Sequence, residues 1–261
     1  MNILDDILRH KKEELRLTKS RIPLAELKAR IRDMDAVRPF RAAVKRERQG
    51  PVKLIAEVKK ASPSKGVIRE DFDLSAIVSA YERSSAAAIS VLTEGRFFAG
   101  RLEYLGEARR LTAKPILRKD FIFDEYQIYE TRANHADAVL LIAAALERSQ
   151  LSDLYALAGE LSLDCLVEIR TLKELDTALY CGAAIIGINN RDLGTFDISL
   201  RTTFDFLKDI PDDRIVVSES GINTRADIEA LEATRTDAVL VGTAIMKAPD
   251  ISAVINELMG H

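Results

Sequence analysis

Eight short runs of apolar and β-branched residues recur along the chain, and they constrain its fold more than any other feature. Each run is followed by a segment with the spacing of an amphipathic helix. Continuous apolar strands are typical of sheets buried on both faces, and alternation with helices implies parallel pairing through right-handed crossovers. The runs cover residues 52–58, 87–93, 115–119, 138–143, 165–169, 184–189, 214–219 and 238–242.

Eight strand and helix units predict an α/β fold, the (β/α)8 TIM barrel. The length of 261 residues agrees with this fold, since such a barrel forms one domain of about 250 residues. A doubly wound open sheet is the alternative, but that fold usually has a glycine-rich nucleotide turn after its first strand. Here the first run leads into KKASPSKG, which contains no G-x-G-x-x-G motif. The barrel is the favoured prediction.

The N-terminal part of the chain does not follow this repeat. Residues 1–50 show three helical patterns, and no linker rich in Pro, Gly or Ser separates them from the first apolar run. We expect a single barrel domain covering residues 1–261, with residues 1–50 as an N-terminal helical extension packed on it.

Charge and hydropathy exclude several classes of function. The chain has 38 Lys and Arg against 41 Asp and Glu, a net charge of −3, so it lacks the basic excess typical of nucleic-acid binding. No apolar stretch is long enough for a membrane span, and the charged N-terminal segment lacks the apolar core of a signal peptide. Cys165 and Cys181 lie in apolar segments without metal-binding spacing, which predicts buried free thiols and a cytoplasmic location.

Polar residues collect at the carboxyl ends of the predicted strands, where barrels of this type carry their active sites. Because side chains alternate along a strand, Glu57 and Lys59 share the face of Ile55 and can both point toward the barrel axis. One such residue is usually solvated, but six strand ends with acid, amine, guanidinium or amide groups predict a site. The strand-end residues are Glu57, Lys59, Glu94, Lys119, Glu168, Asn189, Arg191, Glu219 and Ser220.

The last two strand ends predict a phosphate site. SESGI follows the seventh run and VGTAIM the eighth, and each combines a glycine with a hydroxyl residue. In this fold the loops after strands seven and eight, together with a short extra helix, often bind phosphate through backbone N–H groups. Gly221, Gly242 and Thr243 are the candidate residues.

Histidine is poorly placed for chemistry in this chain, since His10, His135 and His261 lie away from the predicted strand ends. No metal site is predicted. Proton transfer must then fall to Lys and Glu, and we expect neighbouring cations and burial to lower the pKa of the lysine and an apolar setting to raise that of the glutamate.

These motifs resemble those of the indole-3-glycerol-phosphate synthase family. The ordered segments are IAEVKKASPSKG, SVLTEGRFFAG, PILRKDFI, LVEI, IGINNRDL, VSESGI and VGTAIM. The resemblance is to the monofunctional form, and it implies ring closure of 1-(2-carboxyphenylamino)-1-deoxyribulose 5-phosphate with loss of CO2 and water, in tryptophan biosynthesis. It implies a small-molecule substrate and no cofactor, and we expect a monomer without nucleic-acid or membrane partners.

The resemblance also implies roles for individual residues. Lys119 matches the general acid, Glu168 matches the general base of the dehydration, and Glu57 with Lys59 matches a catalytic pair in which Lys59 also contacts substrate anions, phosphate included. The implied substrate contacts are Ser62, Phe98, Phe121, Asn189, Arg191, Glu219 and Ser220, with phosphate on Gly221, Gly242 and Thr243. The segment NILDDILRH lacks an aromatic that some family members place near the substrate, so no site residue is assigned there.

Two other functions stay open at this stage. A lysine at a strand end facing a carbonyl substrate is also typical of aldolases that form a Schiff base, here on Lys119. A barrel that binds a phosphorylated ligand without catalysis is the second alternative. The combination of Lys59, Lys119 and Glu168 favours acid and base catalysis over both.

Overall fold

A computed structural model describes residues 3–48, 50–191 and 197–261, and eight parallel strands in it close into a barrel. The strands are β1 Lys53–Val58, β2 Ala86–Leu92, β3 Ile116–Lys119, β4 Ala138–Ile142, β5 Asp164–Ile169, β6 Ile185–Asn189, β7 Ile215–Glu219 and β8 Ala238–Val241. Each strand pairs with its neighbours in sequence, and β8 pairs with β1 to close the circle. Residues 61–62 and 66–67 form a small antiparallel hairpin in the loop after β1.

Three helices precede the barrel and at least one follows each strand. The helices are α1 Ile3–Arg21, α2 Leu24–Arg32, α3 Phe40–Val44, α4 Leu74–Arg83, α5 Glu103–Arg109, α6 Glu125–Ala133, α7 Arg148–Glu160, α8 Leu172–Tyr180, α9 Arg201–Phe206, α10 Arg225–Glu232, α11 Thr243–Lys247 and α12 Ile251–Met259. Several begin at a side chain that accepts a backbone N–H of the first turn, as Asp73, Asp124 and Thr224 do. Such caps satisfy N–H groups that have no partner within the helix.

The sequence prediction of a (β/α)8 barrel is confirmed, and the ends of every predicted strand lie within one residue of the observed ones. The doubly wound open sheet is excluded because β1 and β8 pair with each other. Helix α3 is shorter than the helical pattern PFRAAVKRERQ, residues 39–49, predicts: it ends at Val44, and the backbone of Lys45 is extended. Gln49, which the helical pattern included, lies outside the described residues.

The barrel interior is apolar below the strand ends and is closed at its N-terminal end by α3. Phe40 and Val44 of this helix are fully buried against the inward-facing side chains. Burial of such side chains stabilises the fold by about 1.5–3 kcal/mol each. The inward-facing residues include Ile55, Ala88, Leu117, Leu140, Leu166, Ile185, Val217 and Leu240.

Helix α1 lies at the opposite, C-terminal end of the barrel. The ammonium of Lys11 is buried and lies 3.1 Å from a carboxylate oxygen of Asp120, which directly follows β3. Farther along the helix, Lys19 pairs with Asp124 at 2.7 Å. Burial raises the cost of leaving either member of the first pair alone, so this contact fixes α1 over the strand ends.

Both cysteines are free thiols, but only Cys165 is fully buried, while Cys181 is partly exposed. The prediction that both are buried is wrong for Cys181, because it lies at the C-terminal end of α8 and not inside a strand. Among the described residues, none of the helices has both the length and the apolar character that crossing a membrane demands.

Candidate active site

A cavity of about 310 Å³ opens at the C-terminal ends of the strands. Its wall contains all fourteen residues that the family resemblance implies for the site, from seven of the eight strand ends or the loops that follow them. They are Glu57, Lys59, Ser62, Phe98, Lys119, Phe121, Glu168, Asn189, Arg191, Glu219, Ser220, Gly221, Gly242 and Thr243. Parallel strands in a closed barrel bring these distant segments to one edge.

The ammonium of Lys119 lies among three carboxylates of the cavity wall. Its Nζ lies 3.1 Å from a carboxylate oxygen of Glu219, 3.7 Å from one of Glu168 and 3.8 Å from one of Glu57. These carboxylates come from β7, β5 and β1, so only the closed barrel could bring them together. The three glutamates form a ring around one cation.

The expected direction of the pKa shift is wrong for Lys119. Burial lowers its pKa, but attraction to Glu219, Glu57 and Glu168 outweighs burial and raises the pKa overall. The sequence could not reveal this, because which side chains face the lysine depends on barrel closure. Lys119 is therefore held as an ammonium ion.

Glu57 and Lys59 form a close pair on the first strand and the loop after it. Lys59 Nζ lies 2.6 Å from Glu57 Oε1. Burial raises the pKa of Glu57, but attraction to Lys59 and Lys119 outweighs burial, so the pKa is lowered overall. Behind the strand, the buried hydroxyl of Tyr81 donates to the backbone carbonyl of Glu57 at 3.0 Å. Glu57 is an ionised carboxylate shared by two ammonium groups.

Glu219 differs from Glu57 in its environment. The side chain is buried, and neither carboxylate oxygen accepts a hydrogen bond from the described residues, although Lys119 lies beside one of them. Burial raises its pKa, Lys119 opposes this, Glu168 adds to it, and the result is about 7. A carboxyl group with this pKa can hold or release a proton near neutral pH.

Asn189, at the end of β6, and Arg191, in the loop that follows, form another part of the cavity wall. Asn189 donates from Nδ2 to Glu168 Oε1 at 3.2 Å and accepts the backbone N–H of Arg191 at 3.0 Å. The guanidinium of Arg191 reaches across the opening to Ser64 in the loop after β1, at 3.4 Å. Arg191 thus adds a further cationic group to the cavity wall. Residues 192 and 193, which complete the INNRDL motif, lie outside the described residues.

The loop after β7 turns sharply at Ser220 and Gly221. Their φ angles are +69° and +82°, a left-handed conformation that favours glycine and is strained at the serine. Asn190, buried between Asn189 and Arg191, fixes this turn by donating to the carbonyl of Ser220 at 3.0 Å and to Ser218 Oγ at 2.9 Å. Buried Thr203 completes the network by donating to Asn190 Oδ1 at 2.8 Å. The network joins the loops after β6 and β7.

Two aromatic rings form an apolar part of the wall. Phe98 and Phe121 face each other with ring centroids 6.0 Å apart. The loop carrying Phe98 is shaped by Glu94, whose buried carboxylate accepts the backbone N–H groups of Phe97 at 2.7 Å and Phe98 at 3.1 Å. Glu94, although it is a predicted strand-end residue, does not line the cavity. Its role is to fold the loop.

Helix α1 also contributes to this wall, which was not predicted. No site residue was assigned to NILDDILRH, but Ile3, Leu4 and Ile7 line the cavity. The i, i+4 spacing of residues 3 and 7 indicated an apolar helix face, but not the surface that this face covers. Leu92, Leu140 and Ile142 of the barrel also line the cavity and were not predicted. Within the described part of the chain, no group of three His, Cys, Asp or Glu residues could hold a metal ion.

Comparison with known proteins extends this picture to the whole chain. A model of the family described as indole-3-glycerol phosphate synthase matches residues 4–258. An indole-3-glycerol phosphate synthase of Alkaliphilus metalliredigens is 48% identical over 257 residues, covering 98% of this chain and 97% of the relative. The protein of the same name from Caldanaerobacter subterraneus subsp. tengcongensis is 49% identical over 246 residues, covering 94% and 93%.

Solved structures of low sequence identity share the fold alone. KGPDC from Streptococcus mutans superimposes with a TM-score of 0.62 at 13% identity, covering 80% of this chain and 95% of the other. A thiamine phosphate pyrophosphorylase from Pyrococcus furiosus gives 0.59 at 18% identity, covering 79% and 93%. The barrel scaffold is thus common to proteins of different names.

Proposed function

The chain belongs to the indole-3-glycerol phosphate synthase family, whose members are decarboxylating lyases of tryptophan biosynthesis, and we propose how its own residues perform that reaction. The substrate is 1-(2-carboxyphenylamino)-1-deoxyribulose 5-phosphate. An aromatic carbon attacks the ketone carbon, the ring carboxylate leaves as CO2, and the new hydroxyl leaves as water. No metal or organic cofactor takes part.

Binding uses three separate parts of the cavity. The phosphate lies on the backbone of Gly221, Gly242 and Thr243, with Lys59 contributing charge. The ring packs between Phe98 and Phe121, a setting suited to an aromatic group. The polar substrate contacts are Ser62, Asn189, Arg191, Glu219 and Ser220. Holding both anions folds the flexible ribulose chain so that ring carbon and ketone meet.

Lys119 is the general acid of ring closure. It donates a proton to the ketone oxygen as the aromatic carbon attacks, and it regains a proton from Glu168, 3.7 Å away, after the dehydration. The hydroxyl that leaves as water takes its second proton from solvent. Glu168 then accepts the proton lost in the dehydration, held in place by Asn189 Nδ2 at 3.2 Å. Glu57 fixes Lys59 and Lys119 by pairing with both. Such positioned acid and base groups contribute about 10²- to 10⁴-fold each.

The observation that carries this proposal is the ring of three carboxylates around Lys119. It raises the pKa of the lysine, which keeps the side chain protonated before the reaction and opposes the neutral amine needed for a Schiff base. The residues proposed to bind the phosphate and the aromatic ring of the substrate lie on other parts of the cavity wall. Acid catalysis is thus favoured over the aldolase alternative.

The decisive experiment follows indole absorbance or fluorescence after the anthranilate-linked substrate is added to the folded protein. We expect turnover in buffer containing EDTA and no added cofactor. A folded protein that binds the substrate without product formation would leave only the binding-module alternative. In parallel, borohydride is added during turnover and the protein is analysed by mass spectrometry. A stable adduct on Lys119 would contradict the role of this residue as an acid.

We also propose a domain organisation, an oligomeric state and a location: residues 1–261 act as one domain, as a monomer, in the cytoplasm. The buried Lys11–Asp120 pair supports docking of the N-terminal extension, and the free thiols Cys165 and Cys181 agree with a reducing compartment. Light scattering after size exclusion tests the monomer, and a single calorimetric unfolding transition tests the single domain.

A further inference from the structure

Gly187 occupies the middle of β6 without needing the conformational freedom of glycine. It faces the barrel interior, since its neighbours two residues away are Ile185, in the interior core, and Asn189, in the site. Gly187 is not among the glycines with positive φ, so its backbone would accept any residue. Glycine in the middle of a strand lowers stability relative to alanine. Lack of space for a side chain is therefore the remaining explanation for a glycine at this position.

The space is occupied by the carboxylate of Glu219. A Cβ atom at position 187 would lie 2.1 Å from Glu219 Oε1 and 3.3 Å from Glu219 Cδ. The other near atom is Leu166 Cδ1 at 3.2 Å, a contact that a small shift relieves. The atom in the severe clash is the far end of a flexible side chain, so an alanine would displace the carboxylate more readily than the strand.

Strand register explains why Glu219 reaches this point. The Cα of Glu219 pairs with Asn189 across β6 and β7, yet its carboxylate lies against Gly187, two residues earlier on β6. The side chain is thus folded down into the barrel. Asn189, which pairs with Glu219 across the two strands, occupies the position beside the Glu219 backbone and donates to Glu168. In this position Glu219 lies 3.1 Å from Lys119, closer than either other glutamate.

We propose that Gly187 is a positioning residue for catalysis: its missing side chain provides the space in which Glu219 pairs with Lys119. Resting on the role of Lys119 as the acid, the inference assigns a task to a residue that has no polar group and touches no substrate. Filling the space would push Glu219 toward Glu168 or the cavity opening. Lys119 would then lose its nearest carboxylate, and its ammonium would take a different position.

The test is a double-mutant cycle between Gly187→Ala and Glu219→Asp. The aspartate is one methylene shorter, so its carboxylate ends near the present position of Glu219 Cδ, 3.3 Å from the added Cβ, and the 2.1 Å clash is removed. We expect Gly187→Ala to lower kcat at least tenfold in the wild-type background, with KM changed by a smaller factor than kcat and Tm retained. In the Glu219→Asp background, the same substitution should change kcat less than twofold.

A matched control is Gly159→Ala, at an exposed glycine of α7 where a Cβ meets no atom within 4 Å; it should leave kcat unchanged. Equal losses from Gly187→Ala in both Glu219 backgrounds would overturn the proposal, as would unchanged kcat. Failure to fold in both backgrounds would also overturn it, since the clash would then lie with Leu166 or the backbone. Folding only in the Glu219→Asp background would support it.

The pH profile separates positioning from general damage. Displacing Glu219 alters a carboxyl group that faces Lys119, Glu168 and Glu57, with Lys59 beyond Glu57, so the acid limb of kcat/KM should move in Gly187→Ala and not in Gly159→Ala. An unmoved limb would contradict the proposal. If the wild-type protein itself shows no turnover, the proposed function fails; turnover that is insensitive to Gly187→Ala contradicts this inference alone.

Discussion

The two ends of the barrel both carry buried carboxylates, but their partners differ. At the N-terminal end, Asp137 accepts the backbone N–H of Arg38 at 2.6 Å and that of Ile116 at 2.7 Å, and it also pairs with Arg109. Asp164 and Asp237 likewise accept backbone N–H groups from the segment around α3. At the C-terminal end, Glu219 accepts no hydrogen bond from the described residues, and three glutamates face one Lys119.

This difference separates stability from chemistry. The carboxylates at the N-terminal end accept backbone N–H groups, and they close the barrel by holding residues 38–46 beneath it. A buried carboxylate without hydrogen bonds lowers stability unless it is compensated. Such unsatisfied groups are found where a ligand or a moving proton uses them. The comparison predicts opposite effects of substitutions at the two ends.

The largest effect is expected for Lys119→Ala. Removing the proposed acid should lower kcat about a thousandfold, roughly 4 kcal/mol of barrier, while the folded structure persists. Steady-state kinetics with circular dichroism measures both. Lys53→Ala, which removes the lysine at the other end of β1, should leave kcat unchanged. Retention of more than about a tenth of the rate by Lys119→Ala, a barrier change of roughly 1.4 kcal/mol or less, would contradict its role.

Glu168→Gln should lower kcat about a hundredfold, close to 3 kcal/mol, because the amide cannot accept the proton of the dehydration. The hydrogen bond from Asn189 Nδ2 can persist to the amide oxygen, so KM should change little. Asp164→Asn, at the other end of the same strand, is the matched control and should cost stability without lowering kcat. Equal losses of kcat in the two variants would contradict the separation of the two ends.

Stability should depend on pH through Glu219. Its pKa is about 7 when folded against 4.5 as the ordinary value, so between these values the folded protein binds more protons than the unfolded chain. The free energy of unfolding must then fall as pH rises, by about 2 kcal/mol from pH 5 to 7. Denaturant titrations of wild type and Glu219→Gln measure this contribution, which should be absent from the variant. Parallel pH curves for the two proteins would refute it.

The smallest effect is expected at the N-terminal end. Asp137→Asn keeps one acceptor oxygen but weakens the contacts to Arg38, Ile116 and Arg109, which should lower the free energy of unfolding by about 1–2 kcal/mol. Because no substrate contact is involved, kcat should stay within twofold of wild type. Thermal unfolding and steady-state kinetics on the same preparation provide the measurement. A loss of kcat at full stability would place catalytic influence at this end.

Strand positions were predictable because their signal is local. A buried parallel strand is an apolar run, and every run from residues 52–58 to 238–242 matched a strand within one residue. Polar residues such as Lys119 and Glu168 were found for the same reason, since they directly end such runs or lie within one residue of the end. Glu94 has the same local signal, yet it folds a loop, and only the direction of its side chain reveals this.

The properties that the sequence missed all depend on distant neighbours. The pKa of Lys119 is raised because glutamates from three other strands face it, and the expectation of a lowered value assumed the wrong neighbours. The N-terminal residues Ile3, Leu4 and Ile7 join the wall because Lys11 docks α1 on Asp120. Gly187 has a use only when Glu219 of the next strand folds down beside it.

The sequence by itself determined the eight strands, the edge of the barrel that carries the site and the residue types in it, because hydrophobic periodicity and strand ends are read within a few residues. Only the tertiary structure decided which charges meet, which carboxylate stays without hydrogen bonds and which glycine provides space. Those properties are set by distances of a few Å between segments that barrel closure brings together, and Coulomb energy, burial and steric exclusion all depend on such distances.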